Sequence, residues 1–438
     1  MLLLEHPPGW LPEREYAFRV LCEELLGLPV ATRSTVEGTS SVSITIAGHR
    51  GTVSVADGLF GLDETLRLTP GSLPVDRPPK VGGVAVPYGR PEITETADAV
   101  HIGVDLFGSS FFSLSRYEEL VSRERDAHGR FPSRHAYAVR NGLLARPVVN
   151  EWAALLRQAL ERVWPGLPAV RRTFTVAPTH DVDWAWTPEA GIAARLRAVV
   201  RSAVNRDARG AAVRLASLAG GRDAFDTFDW IMDASESRGL RSAFYFIVDG
   251  PSPLHACGYS IDDPKIRALV RRCGARGHEL GLHGSYTSFR DPDRLAREHE
   301  RLRAVLAEED VPAGRRGGRQ HFLRWDAEET WSAWDEAGLA YDSSVAYPDA
   351  TGFRSGSCVD HPAFDHRQRR QLRLREHPLV VMDVALDREQ PALEDALRQI
   401  GRLKDACRAH DGTFTILWHN SHLNAGRDRR LYLYALDA

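Results

Sequence analysis

Ionisable residues are concentrated where an apolar stretch of the chain ends. Residues 174–178 (FTVAP) run directly into Thr179, His180, Asp181, Val182 and Asp183, so that one imidazole and two carboxylates lie within four residues. Carboxylates at the end of a buried strand lose hydration and need a metal ion, another cation or hydrogen-bond donors. An Asp-rich turn that caps the following helix is the structural alternative. The segment is therefore a candidate either for metal and acid–base chemistry or for a helix cap.

A second cluster lies at residues 277–286 (GHELGLHGSY) and could be confused with the helical zinc motif of metalloproteases. That motif requires two histidines four residues apart on one face of a helix. Here His278 and His283 are five residues apart, and Gly281 disfavours a helix. The alternating apolar pattern instead predicts a strand that brings His283 to a glycine-flanked loop.

Two further apolar segments end in the same way. Residues 413–422 (TFTILWHNSH) present His419 after an apolar run, and residues 319–325 (RQHFLRW) carry Arg319 and His321. Four separate strand ends that bear Asp, His or Arg are hard to explain as independent structural features. We therefore predict that they form one site.

The elements around these clusters predict how they meet. After Pro165 and Gly166, strand and helix patterns alternate to the end of the chain. Such alternation predicts βα units and a parallel sheet. Right-handed crossovers place all strand carboxyl ends at one face, which is where the chemistry of (β/α) barrels is found.

The N-terminal part has a different pattern, with a helix at 13–27, alternating strands at 41–48 and 51–58, and an amphipathic helix at 148–164. We predict an N-terminal α/β domain over residues 1–168 and a barrel over 169–438, with an Arg/Ala-rich helical insert near 188–221. The insert is either a solvated face or a docking surface for phosphate or anionic lipid. Phe107, Phe111 and Phe112 at helical spacing predict core packing.

Composition excludes several classes of protein. The 438 residues include 56 Lys and Arg against 59 Asp and Glu, so no overall basic field indicates a nucleic-acid partner. The N-terminus lacks the pattern of a secretion signal, and no apolar run has the length of a membrane span. Five scattered cysteines without a CxxC pair fit reduced thiols. These features predict a cytoplasmic protein without a transmembrane segment.

The motifs and their order over residues 173–430 resemble the polysaccharide deacetylases, the NodB-homology or carbohydrate esterase family four proteins. The resemblance implies an α/β fold with a distorted (β/α) barrel of about seven strands. It also implies that Asp181 is the catalytic base, that Arg319 is its charge partner, and that His419 is the general acid. Asp183 and His283 would hold a divalent metal.

This chain departs from the family pattern at one metal ligand. The family has a second histidine four residues after the first, and here that position is Thr287. Either water or another side chain would complete the site, and the candidate side chains for a third ligand are His180, His321 and His422. The segment around Asp342 and Arg354 resembles the part of the family that lines the substrate groove. The candidate substrate-binding residues are Trp184, His321, Trp325, Arg354 and Trp418.

The resemblance implies a hydrolase that acts on carbon–nitrogen bonds other than peptide bonds. It would use zinc, cobalt or nickel to remove an N-acetyl or related acyl group from a carbohydrate or another acylated amine. Two alternatives stay open: a carbohydrate-binding relative without catalysis, and a metal-independent amide or imide hydrolase on the same scaffold. The N-terminal part resembles the leading domain of a bacterial subgroup of deacetylase-like proteins, and no oligomeric state is predicted.

Overall fold

The computed structural model describes residues 1–35, 40–187, 223–250, 257–312, 314–424 and 426–437. The predicted helical insert near 188–221 lies outside these residues. Within them, the chain forms two large sheets with accompanying helices: a six-stranded sheet near the N-terminus and a nine-stranded sheet after it. The predicted α/β class is confirmed.

The first sheet has the strand order β2-β1-β3-β4-β8-β7. Its strands, and the small pair β5 and β6, are β1 (Leu2–His6), β2 (Val30–Ser34), β3 (Ser41–Ile46), β4 (Thr52–Ala56), β5 (Lys80–Val81), β6 (Val84–Ala85), β7 (Gly89–Glu95) and β8 (Ala99–Val104). The helices of this part are α1 (Leu11–Phe18), which continues as a π-helix over Arg19–Leu25, α2 (Leu106–Leu114), α3 (Tyr117–Val121), α4 (Tyr137–Arg140) and α5 (Val148–Val163). Phe107, Phe111 and Phe112 are buried on α2, as their helical spacing predicts.

The second sheet has the order β14-β15-β13-β12-β11-β10-β9-β17-β16. Its strands are β9 (Thr175–Val182), β10 (Ala243–Phe246), β11 (Glu279–Gly284), β12 (Gly318–Gln320), β13 (Tyr341–Asp342), β14 (His361–Asp365), β15 (Arg370–Glu376), β16 (Leu379–Met382) and β17 (Thr413–Leu417). The helices are α6 (Phe228–Glu236), α7 (Pro264–Ala275), α8 (Pro292–Glu308), α9 (Thr330–Glu336), α10 (Asp383–Glu389), α11 (Leu393–Arg408) and α12 (Gly426–Leu436).

The expected number of about seven strands is wrong, because this sheet has nine. The difference comes from the β14–β15 hairpin, whose strands pair antiparallel with each other while β15 runs parallel to β13. In β15 the buried Leu372 and Leu374 alternate with charged residues, which is the pattern of a strand with one packed face.

Parallel pairing brings the carboxyl ends of the central strands to one edge. Val182 at the end of β9 pairs with Phe246 of β10, which pairs with Leu282 of β11. His283 of β11 pairs in turn with Arg319 of β12. The polar residues that end these strands therefore lie side by side.

The hairpin also connects the two parts of the chain. Phe364 on β14 packs in the hydrophobic core of the N-terminal sheet, and the Tyr16 hydroxyl donates a hydrogen bond of 2.8 Å to the Pro362 carbonyl. The buried Glu13 carboxylate pairs with Arg369 at 2.8 Å. The two cores are thus in direct contact, and the division at residue 168 stays a prediction.

Across the described ranges, no helix is both long enough and apolar enough to cross a membrane. The five cysteines are free and buried.

Candidate active site

Three potential metal ligands converge at the edge formed by β9, β11 and β12. Asp183 Oδ1 lies 3.2 Å from His283 Nε2 and 3.4 Å from His321 Nε2. All three atoms are buried and have no hydrogen-bond partner. Ligand atoms at about 2.0–2.2 Å from a tetrahedral zinc ion lie roughly 3.3–3.6 Å apart. The three atoms therefore fit a metal ion, and a cation would compensate groups that are otherwise costly to bury.

The orientation of His283 is set by its second ring nitrogen. Nδ1–H donates a hydrogen bond of 2.9 Å to the backbone carbonyl of Arg319, which leaves the Nε2 lone pair facing Asp183 when the ring is neutral. The chain turns sharply after β12, with left-handed backbone at Phe322 and Leu323 (φ 60° and 51°). His321 lies immediately before this turn, and its ring centroid is 4.8 Å from that of His283.

The protonation preferences of the cluster suit a cation. Burial lowers the pKa of His321, which favours the neutral ring that a metal requires. Burial alone would lower the pKa of His283, but the carboxylates of Asp181 and Asp183 raise it. Burial would raise the pKa of Asp183, but the imidazoles of His321 and His283 hold it well below its usual range. The carboxylates would attract a metal ion in place of a proton.

Asp181 lies beside this cluster and is held by a buried arginine. Arg319 Nη1 donates to Asp181 Oδ1 at 2.7 Å, and the other oxygen of Asp181 is 3.7 Å from His283 Nε2. Arg319 also donates to the carbonyl and the hydroxyl of Ser343 and lies over the ring of Tyr245. Because every arm of the guanidinium is engaged, the Asp181 carboxylate has a fixed position.

His419 faces the cluster from the loop that follows β17, and Asp383 holds it there. Asp383 accepts hydrogen bonds from the backbone N–H of His419 and from Nδ1, both at 2.9 Å, while Nε2 lies 3.7 Å from Asp183 Oδ2. Burial would lower the pKa of His419, but the Asp383 carboxylate raises it to about 10. The histidine is therefore placed and charged to donate a proton from Nε2.

Asp383 was missed by the sequence analysis, although a signal was present. It directly follows the apolar strand β16, as Asp183 follows β9. His422 Nδ1 also bonds Asp383, at 2.8 Å. Asp383, His419 and His422 could form a second metal group, but their facing atoms already bond one another.

Of the three candidates for the third ligand, His321 lies with Asp183 and His283. His180 instead points into the core, where it contacts the Trp418 carbonyl at 2.7 Å and the Tyr432 hydroxyl at 3.2 Å. His422 contacts Asp383 and is absent from the cluster. Successive residues of a strand point to opposite faces, which separates His180 from Asp181 on β9.

Several predicted substrate-binding residues are buried and need correction. Trp325 packs on Trp331 with ring centroids 4.8 Å apart, and Trp418 packs on Tyr432; neither indole is exposed. Arg354 is buried in an ion pair with Glu119, at 2.6 Å. These side chains cannot contact a substrate in this conformation. Trp184 is half-buried and its ring lies against Gly258.

A cavity of about 260 Å³ opens next to the cluster. It is lined by His128, Arg130, Asp181, Asp183, His283, His321, Phe322, Leu323, Pro348, Met382, Val384, Arg388 and His419. His128 and Arg130 come from the N-terminal part of the chain; the imidazole contacts the Tyr286 hydroxyl at 3.2 Å, and Arg130 donates to the Phe322 carbonyl at 2.6 Å. The N-terminal part therefore forms one wall of the cavity.

Comparison with known proteins gives a family match for the N-terminal part and, separately, distant similarity to solved structures. Residues 2–165 match a protein family of unknown function, DUF7033. No curated protein sequence matches the chain.

The similar solved structures align with about three fifths of the chain. They include one assigned as a polysaccharide deacetylase from Mycobacterium smegmatis (18% identity, 62% of this chain and 86% of the other, TM-score 0.38). The Puue allantoinase aligns at 11% identity over 62% and 85% of the two chains, with a TM-score of 0.39. A polysaccharide deacetylase from Bacillus cereus aligns at 11% identity over 61% and 87%, with a TM-score of 0.30. At these sequence identities and TM-scores, the matches do not assign an activity to this chain.

Proposed function

We propose that this protein is a metal-dependent hydrolase that cleaves a carbon–nitrogen amide bond and removes an acyl group from an amine. The observation that carries the proposal is the convergence of three buried, unpaired ligand atoms, on Asp183, His283 and His321, beside the Asp181–Arg319 and His419–Asp383 pairs. An N-acetylated amino sugar is the substrate that the motif resemblance favours.

Two imidazole nitrogens and one carboxylate oxygen are the ligands of catalytic zinc sites, and cobalt or nickel can use the same donors. A metal ion bound there would supply Lewis acidity toward the amide carbonyl and toward water. Asp183, His283 and His321 would hold it.

The remaining steps belong to the protein's own side chains. Asp181 would remove a proton from the attacking water, with Arg319 compensating its charge and fixing its position. His419 would donate the Nε2 proton to the departing nitrogen, since its Nδ1 is bonded to Asp383. The base Asp181 lies 3.7 Å from His283 Nε2, and Nε2 of the acid His419 lies 3.7 Å from Asp183 Oδ2, so both proton carriers adjoin the proposed metal ligands.

The first test is the metal content of protein purified without chelators and without a histidine tag. Elemental analysis should find close to one equivalent of metal per wild-type chain, and the double variant Asp183→Ala/His283→Ala should lose it. Acetate release from N-acetylated sugars should follow the metal content.

Wild-type protein that stays free of metal after addition of zinc, cobalt or nickel would contradict the proposal. A metal-independent hydrolase would then still release acid from amides or cyclic imides, whereas a binding protein without catalysis would retain sugars without turnover.

A further inference from the structure

The cavity beside the candidate active site has an unusual lining for a site that binds a neutral sugar. The lining residues are either apolar, such as Phe322, Leu323, Pro348 and Met382, or ionisable. Among the described residues it contains no Ser, Thr, Asn, Gln, Trp or Tyr side chain. Those side chains are the neutral donors, acceptors and stacking surfaces that sugar hydroxyls and sugar faces use. Polar recognition in this cavity is therefore left to charged groups.

Arg388 is the charged group that is free to bind a ligand. It lies four residues after Val384 on α10, and both line the cavity, as expected for residues on one face of a helix. Arg388 is exposed and makes no ion pair within the described part of the chain. The acidic residues on either side of it are engaged elsewhere, since Asp387 pairs with Arg427 at 2.8 Å and Glu389 accepts hydrogen bonds from Thr351.

The second arginine of the cavity has a structural role instead. Arg130 pairs with Asp126 at 2.7 Å and donates to the Phe322 carbonyl, so its charge is compensated within the wall. Asp181 is likewise compensated by Arg319. The carboxylate left in the cavity is Asp183, and a divalent cation bound to it would leave an excess of positive charge to which Arg388 adds. An anionic ligand would relieve that excess.

We infer that the substrate carries an anionic oxygen group, a carboxylate or a phosphate, which binds Arg388 while the acylated nitrogen lies next to Asp181 and Asp183. The inference rests on the proposed amide hydrolase function and specifies its substrate class. The cavity of about 260 Å³ is smaller than the roughly 300–1,000 Å³ that drug-sized ligands occupy, so it takes a compact molecule or one end of a longer one. Arginine binds both kinds of anion through paired N–H donors.

The test is isothermal titration of zinc-loaded full-length protein with two matched pairs of probes. N-acetylglucosamine 6-phosphate is compared with N-acetylglucosamine, and N-acetyl-β-alanine with N-acetyl-β-alaninamide. In wild type the anionic member of at least one pair should bind about tenfold more tightly, as expected for a hydrogen bond to a charged group. The pair that shows the preference distinguishes phosphate from carboxylate.

Arg388→Gln should reduce the preference to about twofold or less, while the matched control Arg398→Gln, on α11 and outside the cavity lining, should keep it. This comparison separates Arg388 from direct binding of the anion to zinc, because Arg388→Gln leaves Asp183, His283 and His321 in place. Equal affinity for both members of each pair in wild type, no binding of either anionic probe, or an unchanged preference in Arg388→Gln would each overturn the inference.

The proposed function fails by a different measurement on the same samples. If wild type holds no zinc, the hydrolase proposal fails. The titrations of the metal-free protein then test only whether Arg388 forms an anion site. A preference that Arg388→Gln removes there still supports an anion site. If the zinc-loaded protein shows no preference for anions, the hydrolase proposal is unaffected and only the anionic substrate class is rejected.

Discussion

At the residue scale, the third ligand that we propose, His321, lies in a different part of the chain from the one that the family pattern implies. Thr287 occupies the position of the family's second histidine, and its hydroxyl contacts Asp249 at 3.3 Å and accepts a hydrogen bond from Arg294 at 3.2 Å. His321, after β12, lies near Asp183 instead. A threonine hydroxyl is a poor replacement for imidazole in a zinc site, and we therefore propose His321 as the ligand in its place.

We predict that His321→Ala lowers the affinity for zinc by at least about tenfold, since removing a ligand costs at least as much as the 10–100-fold lost with a supporting residue. Thr287→Ala should bind zinc as wild type does. Competition with a chromophoric chelator measures both affinities. If zinc binding were weaker in Thr287→Ala but unchanged in His321→Ala, the assignment of His321 as the third ligand would be wrong.

Asp383 positions His419 through a hydrogen bond to Nδ1. Replacement by Asn keeps an acceptor of similar shape but removes the charge that raises the pKa of His419. We expect Asp383→Asn to lower kcat by about 10²–10⁴-fold, the range attributed to a general acid. The zinc content should not change, because Asp383 is outside the Asp183 cluster.

His422→Ala is the matched control for Asp383→Asn, since His422 also bonds Asp383 but does not line the cavity. It should lower kcat far less. Equal losses in kcat for the two variants, or loss of zinc in Asp383→Asn, would argue against the role of Asp383 as the residue that positions His419.

At the element scale, two acidic residues face each other on β13 and β15. Asp342 and Glu376 are register partners in these parallel strands, and both are fully buried. Burial raises the pKa of Asp342 to about 7, and burial together with Asp342 raises the pKa of Glu376 well above its ordinary value. Asp342 accepts hydrogen bonds from Ser344, whose hydroxyl accepts one from the backbone N–H of Gln320 in β12. The pair thus supports the strand that presents Arg319 and His321.

The raised pKa values predict how stability depends on pH. The folded protein keeps protons on Asp342 and Glu376 at a pH where the unfolded chain, with pKa values near 3.8 and 4.5, has released them. The stability from Asp342 is therefore present at acidic pH and is lost as the pH rises from about 4 through 7, and the loss of stability from Glu376 extends to higher pH. Asp342→Asn, which keeps the acceptor for Ser344, should flatten this dependence.

Urea unfolding at pH 5, 6, 7 and 8 measures the effect. The exposed Asp405 on α11 serves as the control position, and Asp405→Asn should retain the wild-type slope of unfolding free energy against pH. An equal slope in wild type and Asp342→Asn would show that Asp342 does not hold a proton in the folded state.

At the scale of the whole molecule, the two hydrophobic cores are joined by a buried ion network. Glu119 on α3 pairs with Arg116 at 2.9 Å and with Arg354, from the C-terminal part, at 2.6 Å. Burial would raise the pKa of Glu119, but Arg354 and Arg116 lower it. Arg354 also donates to the Ala346 carbonyl and lies over the rings of Trp325 and Tyr347. The arginine predicted to bind substrate instead connects the two parts of the chain.

Removing the charge of Glu119 should destabilise the whole protein. Breaking a buried ion pair costs about 3–5 kcal/mol, because the remaining charge stays buried without its partner. We expect Glu119→Gln to lower the unfolding free energy by roughly that amount in a single urea transition reported by both halves. Glu161→Gln, which removes an exposed partner of Arg157, should cost less than about 1 kcal/mol. Separate transitions for the two halves would show that the interface does not couple them.

The α/β class, the parallel pairing of the central strands and the polar residues at four strand ends followed from the sequence alone. They depend on local periodicity, which the chain carries whatever its tertiary structure. The same periodicity also contained information that we did not use: alternation along β9 places His180 and Asp181 on opposite faces. Asp383 directly follows the apolar strand β16, and the same position after an apolar strand is what identified Asp183 as a candidate.

The tertiary structure alone decided which side chains meet. Strand register and neighbours far away in the sequence decided three features of the site. They placed His321 rather than His422 beside Asp183, buried Trp325 and Trp418, and paired Arg354 with Glu119. The contribution of His128 and Arg130 to the cavity was decided in the same way, because the loop that carries them precedes the first strand of the second sheet, β9, by tens of residues. A side chain's type limits the chemistry it can do, but its burial and its partners are set by packing, and these decide whether it binds a ligand or stabilises the fold.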